Sequence, residues 1–239
     1  MLYFIGLGLN EQGISLQGLS AIKSSKKIYL EVYTVSFPYS IKKLEKIFKR
    51  KIIVLNREQV ESDFLIKEAK KQSICLLVYG SPLFATTHIS LIEECKKQII
   101  KFKIVYSASI FDAIAETGLQ LYKFGKITSM PEWEKNYQPE SFIDYVIENK
   151  KINAHSLILI NPLLSFKQVL EQLEESSKAQ NLYFDKIIIC SMLGTKNSKI
   201  LYGSLDKLKT KSIKEPFCII FPGKMHFVEE EIVKKFEVN

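Results

Sequence analysis

The stretch Gly80-Ser81-Pro82-Leu83-Phe84-Ala85-Thr86-Thr87-His88 gathers small and hydroxyl-bearing residues in one short loop. Its chemistry is ligand binding rather than covalent catalysis. Glycine lets main chain approach a ligand closely, and serine and threonine offer hydroxyls that donate and accept. The three histidines, His88, His155 and His226, have no metal-ligand spacing with one another or with a cysteine. His155 precedes an apolar run and reads as structural. Cys75, Cys95, Cys190 and Cys218 form no C-x-x-C pair and mostly sit in apolar runs, so they read as buried reduced thiols. No metal is expected. Gly6-Leu7-Gly8 invites a nucleotide reading, with Glu31 as an acidic ribose contact. The dinucleotide fingerprint needs a third glycine three residues on, and that position is Glu11. A nicotinamide cofactor is therefore not supported.

The loop needs an element to carry it. Ile74 to Val78 is an unbroken apolar run, as in a strand buried on both faces of a parallel sheet. Gly80 and Pro82 end it. Thr86 or Thr87 is expected to cap a following helix with Ile89, Leu91, Ile92 and Cys95 inward. A strand that feeds a helix through this turn puts the turn at the carboxyl edge of the sheet, where open α/β sheets bind ligands. Around it the periodicity predicts strands at 2–5, 27–33, 52–55 and 103–106. Helices are predicted at 15–23, with Leu16, Leu19 and Ile22 inward, and at 40–50 and 60–71. This alternation implies a mostly parallel sheet.

The second half has a different texture. A helix is predicted over 111–122, a polar loop around Trp133, and helices at 142–149 and 166–174. Strands are predicted at 156–160, 186–191 and 216–221, with a hairpin return at 200–203 and a closing helix from about His226. Glu229-Glu230-Glu231 would suit the dipole at the start of that helix. The expected organisation is an α/β N-terminal lobe over 1–112 and a mixed α+β lobe over 113–239. A ligand cleft is expected between the two lobes.

A chain of 239 residues that is 46% hydrophobic can bury a large core. No apolar run approaches the ~20 residues of a membrane span, and no leader is read at the N-terminus. A cytoplasmic protein with no membrane partner is expected. The net charge of +8 raises a nucleic-acid partner, but only Arg50 and Arg57 are arginine. Phosphate and base readers favour the bidentate guanidinium, so no nucleic-acid role is expected. A lysine-rich face can still steer an acidic protein.

Five blocks carry a resemblance. The loop Gly80 to His88 resembles the G-D-P-x-x-A-T-T-H loop of the diphthine synthases, methyltransferases of the tetrapyrrole-methylase superfamily. Leu2-Tyr3-Phe4-Ile5-Gly6-Leu7-Gly8-Leu9 is similar to that family's opening. So are Ala108-Ser109-Ile110, Gly118-Leu119-Gln120-Leu121-Tyr122-Lys123-Phe124-Gly125 and Pro222-Gly223-Lys224-Met225-His226 to later blocks, in the same order. The resemblance implies a two-lobed fold of that type with S-adenosylmethionine as cofactor. It puts the cofactor contacts on Leu9, Ser81, Phe84, Ser109, Ile110, Ile160, Leu193 and His226. It implies methylation of the amino group on the modified histidine of translation elongation factor 2, to the trimethylated product diphthine, by a homodimer. No general base is assigned. The chain departs from the pattern at Ser81, where the family has aspartate, and at Tyr79, where it more often has proline. Asn161 and Met192 stand where relatives tend to carry charge. Two alternatives stay open at this point. One is another methyltransferase of the superfamily, acting on a corrin precursor or ribosomal RNA. The other is a non-catalytic binding protein on the same fold.

Overall fold

The computed structural model describes residues 1–238, which divide into two compact units, Met1–Ile110 and Phe111 onward. In the first unit β1 (Leu2–Gly6), β2 (Lys27–Glu31), β3 (Ile53–Leu55), β4 (Ile74–Val78) and β5 (Phe102–Val105) make an all-parallel sheet in the order β3-β2-β4-β1-β5. The connections carry α1 (Leu16–Ser24), α2 (Ile41–Phe48), α3 (Arg57–Glu61), α4 (Phe64–Lys71) and α5 (Ile89–Lys97). Parallel pairs require such crossovers. Both faces of β4 are covered: Ile74, Leu76 and Val78 enter one core, Cys75 and Leu77 the other. That two-sided burial is why the run is apolar without alternation. β1 lies between β4 and β5, with Gly6 in register with Val78. The carboxyl ends of β1, β4 and β5 therefore stand side by side.

Several details differ from the expectations. The helix expected over 60–71 is two helices, with Ser62 ending α3. Leu16 and Ile89 face outward, at 86% and 63% exposure; each is the first residue of its helix. Gly18, Ala21 and Ile22 make the buried stripe of α1. The strand expected over 52–55, read from the sequence as buried, is the edge strand β3, and its Ile53 and Val54 are exposed.

The second unit has a mixed sheet of β6 (Thr128–Met130), β7 (Ser156–Ile160), β8 (Ile187–Ser191), β9 (Lys199–Gly203) and β10 (Phe217–Phe221). Its order is β6-β7-β10-β8-β9; β6 pairs parallel with β7 and the other neighbours are antiparallel. β6 escaped the sequence reading, since its three residues carry no alternation. The helix expected over 111–122 is instead α6 (Ile110–Ala113) and two separate 3-10 turns, and Gly118, at φ 84°, breaks the path between them. The helices α7 (Ser141–Lys151), α8 (Phe166–Ala179), α9 (Leu205–Lys209) and α10 (Phe227–Lys234) complete the unit. One core cluster joins Phe142, Val146, Ile158, Leu173, Ile189 and Ile219.

Candidate functional site

The first-unit site is built from main chain. Leu7 N–H donates to Val78 O at 2.9 Å, Gly8 N–H to Gly80 O at 3.2 Å and Gly80 N–H to Gly8 O at 3.0 Å. The loops after β1 and β4 are thus bridged to each other. Gly6 makes this possible: a Cβ there would stand 2.6 Å from Gly80 O and 3.0 Å from the Pro82 ring and Ser107 Cβ. Gly80 is needed for a different reason. Its surroundings leave a Cβ 3.8 Å of room, but its φ of 71° is left-handed, which glycine adopts without cost. The loop after β5 joins through Ser107 Oγ, which donates to Gly13 O at 2.9 Å.

The Ala85-Thr86-Thr87-His88 block turns out to fasten the Gly80 loop. Thr86 Oγ1 and His88 Nδ1 both reach Pro82 O, at 3.2 and 3.1 Å. A carbonyl oxygen only accepts, so in this bond Nδ1 of the buried His88 is the donor. Neither Thr86 nor Thr87 caps α5, which starts after His88 with no side-chain cap. Tyr79 adds a further tie: its hydroxyl donates to Leu9 O at 3.0 Å. Burial pushes the Tyr79 phenol up, so it remains a donor. Leu9, Ser81, Phe84 and Ser109 lie on these three loops, and Ile110 opens α6 directly after the third.

The remaining site residues lie on the second unit and at two places. Ile160 ends β7 and Leu193 follows β8, and both ends flank the start of β10. Ile160 packs against the core and Leu193 is 2% exposed. His226 follows the other end of β10, where Phe221 pairs with Ser156. It is the exposed N-cap of α10, and its Nδ1 accepts from Val228 N–H at 3.4 Å. Leu9, Ser109 and Leu193 are buried.

Glu31 and Glu229 are both buried and fully engaged. Glu31 is fully buried and committed within its own turn. Its oxygens accept from Tyr33 N–H and Thr34 N–H at 3.2 Å each and from Thr34 Oγ1 at 2.5 Å. Glu229, read as a dipole residue, is buried and bonded to Gln120, Lys123, His155 and His226. Its bond to His226 N–H is the local capping box of α10, but Gln120, Lys123 and His155 are distant in sequence and no local motif announces them. The four cysteines are free and buried, and burial holds Cys75 up at about 12. Both arginines are engaged: Arg50 donates to Ser25 O and Lys26 O, and Arg57 pairs with Glu61. Among the described residues no group of three or more His, Cys, Asp or Glu is arranged to hold a metal ion, and no helix is long and apolar enough to cross a membrane.

The sequence profile of the tetrapyrrole (corrin/porphyrin) methylases matches residues 1–209. The diphthine synthase of Methanocaldococcus jannaschii is 38% identical over 98% of this chain and 98% of its own length. The chain belongs to the diphthine synthase family of tetrapyrrole methylases. The diphthine methyl ester synthase of Schizosaccharomyces pombe is 32% identical over 100% of the chain and 95% of its own. A crystal structure of a diphthine synthase superposes with a TM-score of 0.88 at 28% identity, covering 99% of this chain and 95% of the other. One of a candidate diphthine synthase from Entamoeba histolytica reaches 0.91 at 31% identity, covering 100% and 99%.

Membership of this family makes the chain a methyltransferase and implies a methyl donor. The eight residues assigned by resemblance fit a sulfonium donor in their chemistry. They offer hydroxyls, apolar side chains and main chain, and none is lysine or arginine. A cation is disfavoured beside like charge. A cavity of about 420 Å³ in the second unit is the opposite case, with Lys150, Lys186 and Lys224 against Asp185, beside Tyr183 and Tyr202. Ser81 keeps an acceptor where the family has a carboxylate, and Asn161 Oδ1 accepts from Leu163 N–H at 3.0 Å.

Proposed function

We propose that this chain methylates the amino group on the modified histidine of translation elongation factor 2, with S-adenosylmethionine as methyl donor, to form diphthine. The observation that carries the reading is similarity to named diphthine synthases along nearly the whole chain, 38% identity over 98% of it. S-adenosylmethionine supplies a methyl group on a sulfonium, open to in-line displacement by a lone pair. We assign the methyl-donor contacts to Leu9, Ser81, Phe84, Ser109, Ile110, Ile160, Leu193 and His226. An alkylammonium has no lone pair, and near pH 7 little of it is neutral, by analogy with lysine at ~10.4. Desolvation by apolar residues such as Phe84 and Ile110 favours the neutral amine. Orientation alone can supply ~7–11 kcal/mol of the barrier reduction. No side chain is required to form a covalent bond.

The likeness to diphthine methyl ester synthases at 32% identity favours a second reading, in which a carboxylate oxygen is methylated as well. A carboxylate is already deprotonated at neutral pH, so that step needs no proton removed. We place the reaction in the cytoplasm and in a homodimer; exposed Leu163 and Tyr183 on the second unit are apolar surface suited to an interface. The test is transfer of labelled methyl to elongation factor 2 carrying the unmethylated side chain, with the product's mass counting the methyl groups. Label in the factor supports the reading, and an ester is seen as one further, base-labile methyl. No label with an active parent preparation contradicts it.

A further inference from the structure

Glu229 lies in the first turn of α10 and is 1% exposed. Its Oε1 accepts from Gln120 N–H at 2.9 Å and from His155 Nε2 at 3.1 Å. Its Oε2 accepts from His226 N–H at 2.7 Å and from Lys123 Nζ. A carboxylate has about four acceptor sites, so all are used. His155 is fully buried and is held from its other side, where Gly223 N–H donates to Nδ1 at 2.8 Å. Nδ1 is therefore the acceptor, and the single ring proton sits on Nε2, aimed at Glu229. Protonating Nδ1 would set two N–H groups against each other. Lys123 Nζ also donates to Lys224 O at 2.8 Å.

These bonds converge on one loop. Gly223 through its N–H, Lys224 through its C=O and His226 through its N–H are all tied by main chain to the same three side chains. The fit is close, since a Cβ on Gly223 would stand 2.5 Å from Asn153 O and Ala154 O. The Gly118–Gly125 segment supplies the other half of the clasp. Phe124 stacks edge-on to His155 at 5.3 Å, and a Cβ on Gly125 would stand 2.1 Å from Asn149 Oδ1. Two blocks far apart in sequence are thus one mechanical unit, with exposed His226 at its tip. With Nδ1 occupied by its own cap, Nε2 is the ring nitrogen of His226 that can meet a ligand.

We propose that His155 and Glu229 are positioning residues that hold the Pro222–His226 loop, and with it His226, in the orientation that meets the methyl donor. This rests on the methyltransferase reading above and on His226 as one of its contacts. Two substitutions at one position separate the arms of the clasp. His155→Asn places Oδ1 where Nδ1 stands and keeps the Gly223 anchor. His155→Gln reaches Glu229 but leaves the part-buried Gly223 N–H without this acceptor. Each loses one of the two His155 hydrogen bonds, and melting temperatures measured alongside separate a general loss of stability from a loss of loop orientation.

The expected result is that His155→Gln binds S-adenosylmethionine about tenfold more weakly than His155→Asn in calorimetric titration. Its KM for the methyl donor rises while kcat at saturation stays close to that of the Asn variant. Equal affinities in the two variants, or affinities that merely follow melting temperature, would overturn the proposal. If neither variant folds, ¹⁵N spectra of the parent decide: the Gly223 amide and the His155 ring shift on donor binding if the clasp positions the loop, and an unmoved pair overturns it. A parent chain that binds no S-adenosylmethionine would refute the methyl-donor reading, and the proposal with it.

Discussion

The two units hold their functional loops by opposite means. At the carboxyl edge of the first sheet, main chain braces main chain through Gly6, Gly8 and Gly80, with Tyr79, Thr86 and His88 side chains bonded to main-chain carbonyls and no ion pair among these ties. Around α10 in the second unit, a buried carboxylate, a neutral histidine and a lysine do the holding. The first design tolerates pH and salt but not a Cβ. The second tolerates little change in charge. A motif of glycine and proline acts on its own neighbours, so it is visible in one line of sequence. A clasp such as Glu229 with Gln120, Lys123 and His155 depends on partners that only folding assembles.

The largest effect should come from breaking the second design. Glu229→Ala leaves Lys123, His155 and two main-chain N–H groups without their acceptor. Removing one partner of a buried ion pair costs ~3–5 kcal/mol. Urea denaturation followed at Trp133, the one tryptophan and a second-unit residue, should show a loss of that size.

Acid should act on the same unit. Burial raises the Glu229 carboxyl, but Lys123, the N–H groups of Gln120 and His226, and His155 outweigh it and hold the group at about 2, from an ordinary 4.5. A depressed folded value stabilises the fold above the unfolded value and is lost as pH falls, here between 4.5 and 2. The shift corresponds to ~3 kcal/mol. His155 works in the same sense. Burial lowers it below 6.5 against the pull of Glu229, so acidification through that value begins the loss. Trp133 fluorescence should therefore report second-unit unfolding at a higher pH than amide exchange reports for β1 and β4.

Breaking the first design costs less. Gly6→Ala drives a Cβ against Gly80 O and the Pro82 ring, main chain and a closed ring that yield little. Overpacking of this kind costs ~1–3 kcal/mol, to be read from chemical denaturation.

How much of this was legible follows the same division. Ile74 to Val78 declared a strand buried on both faces because each residue meets a core, and no partner had to be guessed. The parallel sheet and the closing helix at His226 followed from similar local signals. Thr86 and Thr87 misled because a hydroxyl before a helix reads as a cap, whereas Pro82 O claims Thr86. Leu16 and Ile89 misled because periodicity does not say which face the first residue of a helix presents. Glu229 was hidden in a run of three glutamates, two of them exposed, and nothing in the sequence around Glu31 showed that it caps its own turn. Tyr79 showed as a departure from the family pattern, but its bond to Leu9 O did not.

The smallest effect sharpens the comparison at the loop itself. Ser81→Asp restores the family's carboxylate on the main-chain-built edge. Replacing a neutral acceptor with a charged one should tighten S-adenosylmethionine binding by ~1 kcal/mol. Weaker binding would mean that the carboxylate is desolvated without a partner and that this chain has rebuilt its contact around serine.

The most direct measurement is calorimetric titration of S-adenosylmethionine into the parent chain and into Gly80→Val. Gly80 holds a left-handed conformation, and a Cβ there would meet Ala108 O and Ser109 Cα only at ordinary contact, 3.8 Å each, so valine acts chiefly by straining the loop's backbone. The account predicts saturable binding to the parent and none to the variant, whose β4 and β1 amides remain protected from exchange. Unchanged affinity in Gly80→Val would contradict the assignment of this edge as the methyl-donor site.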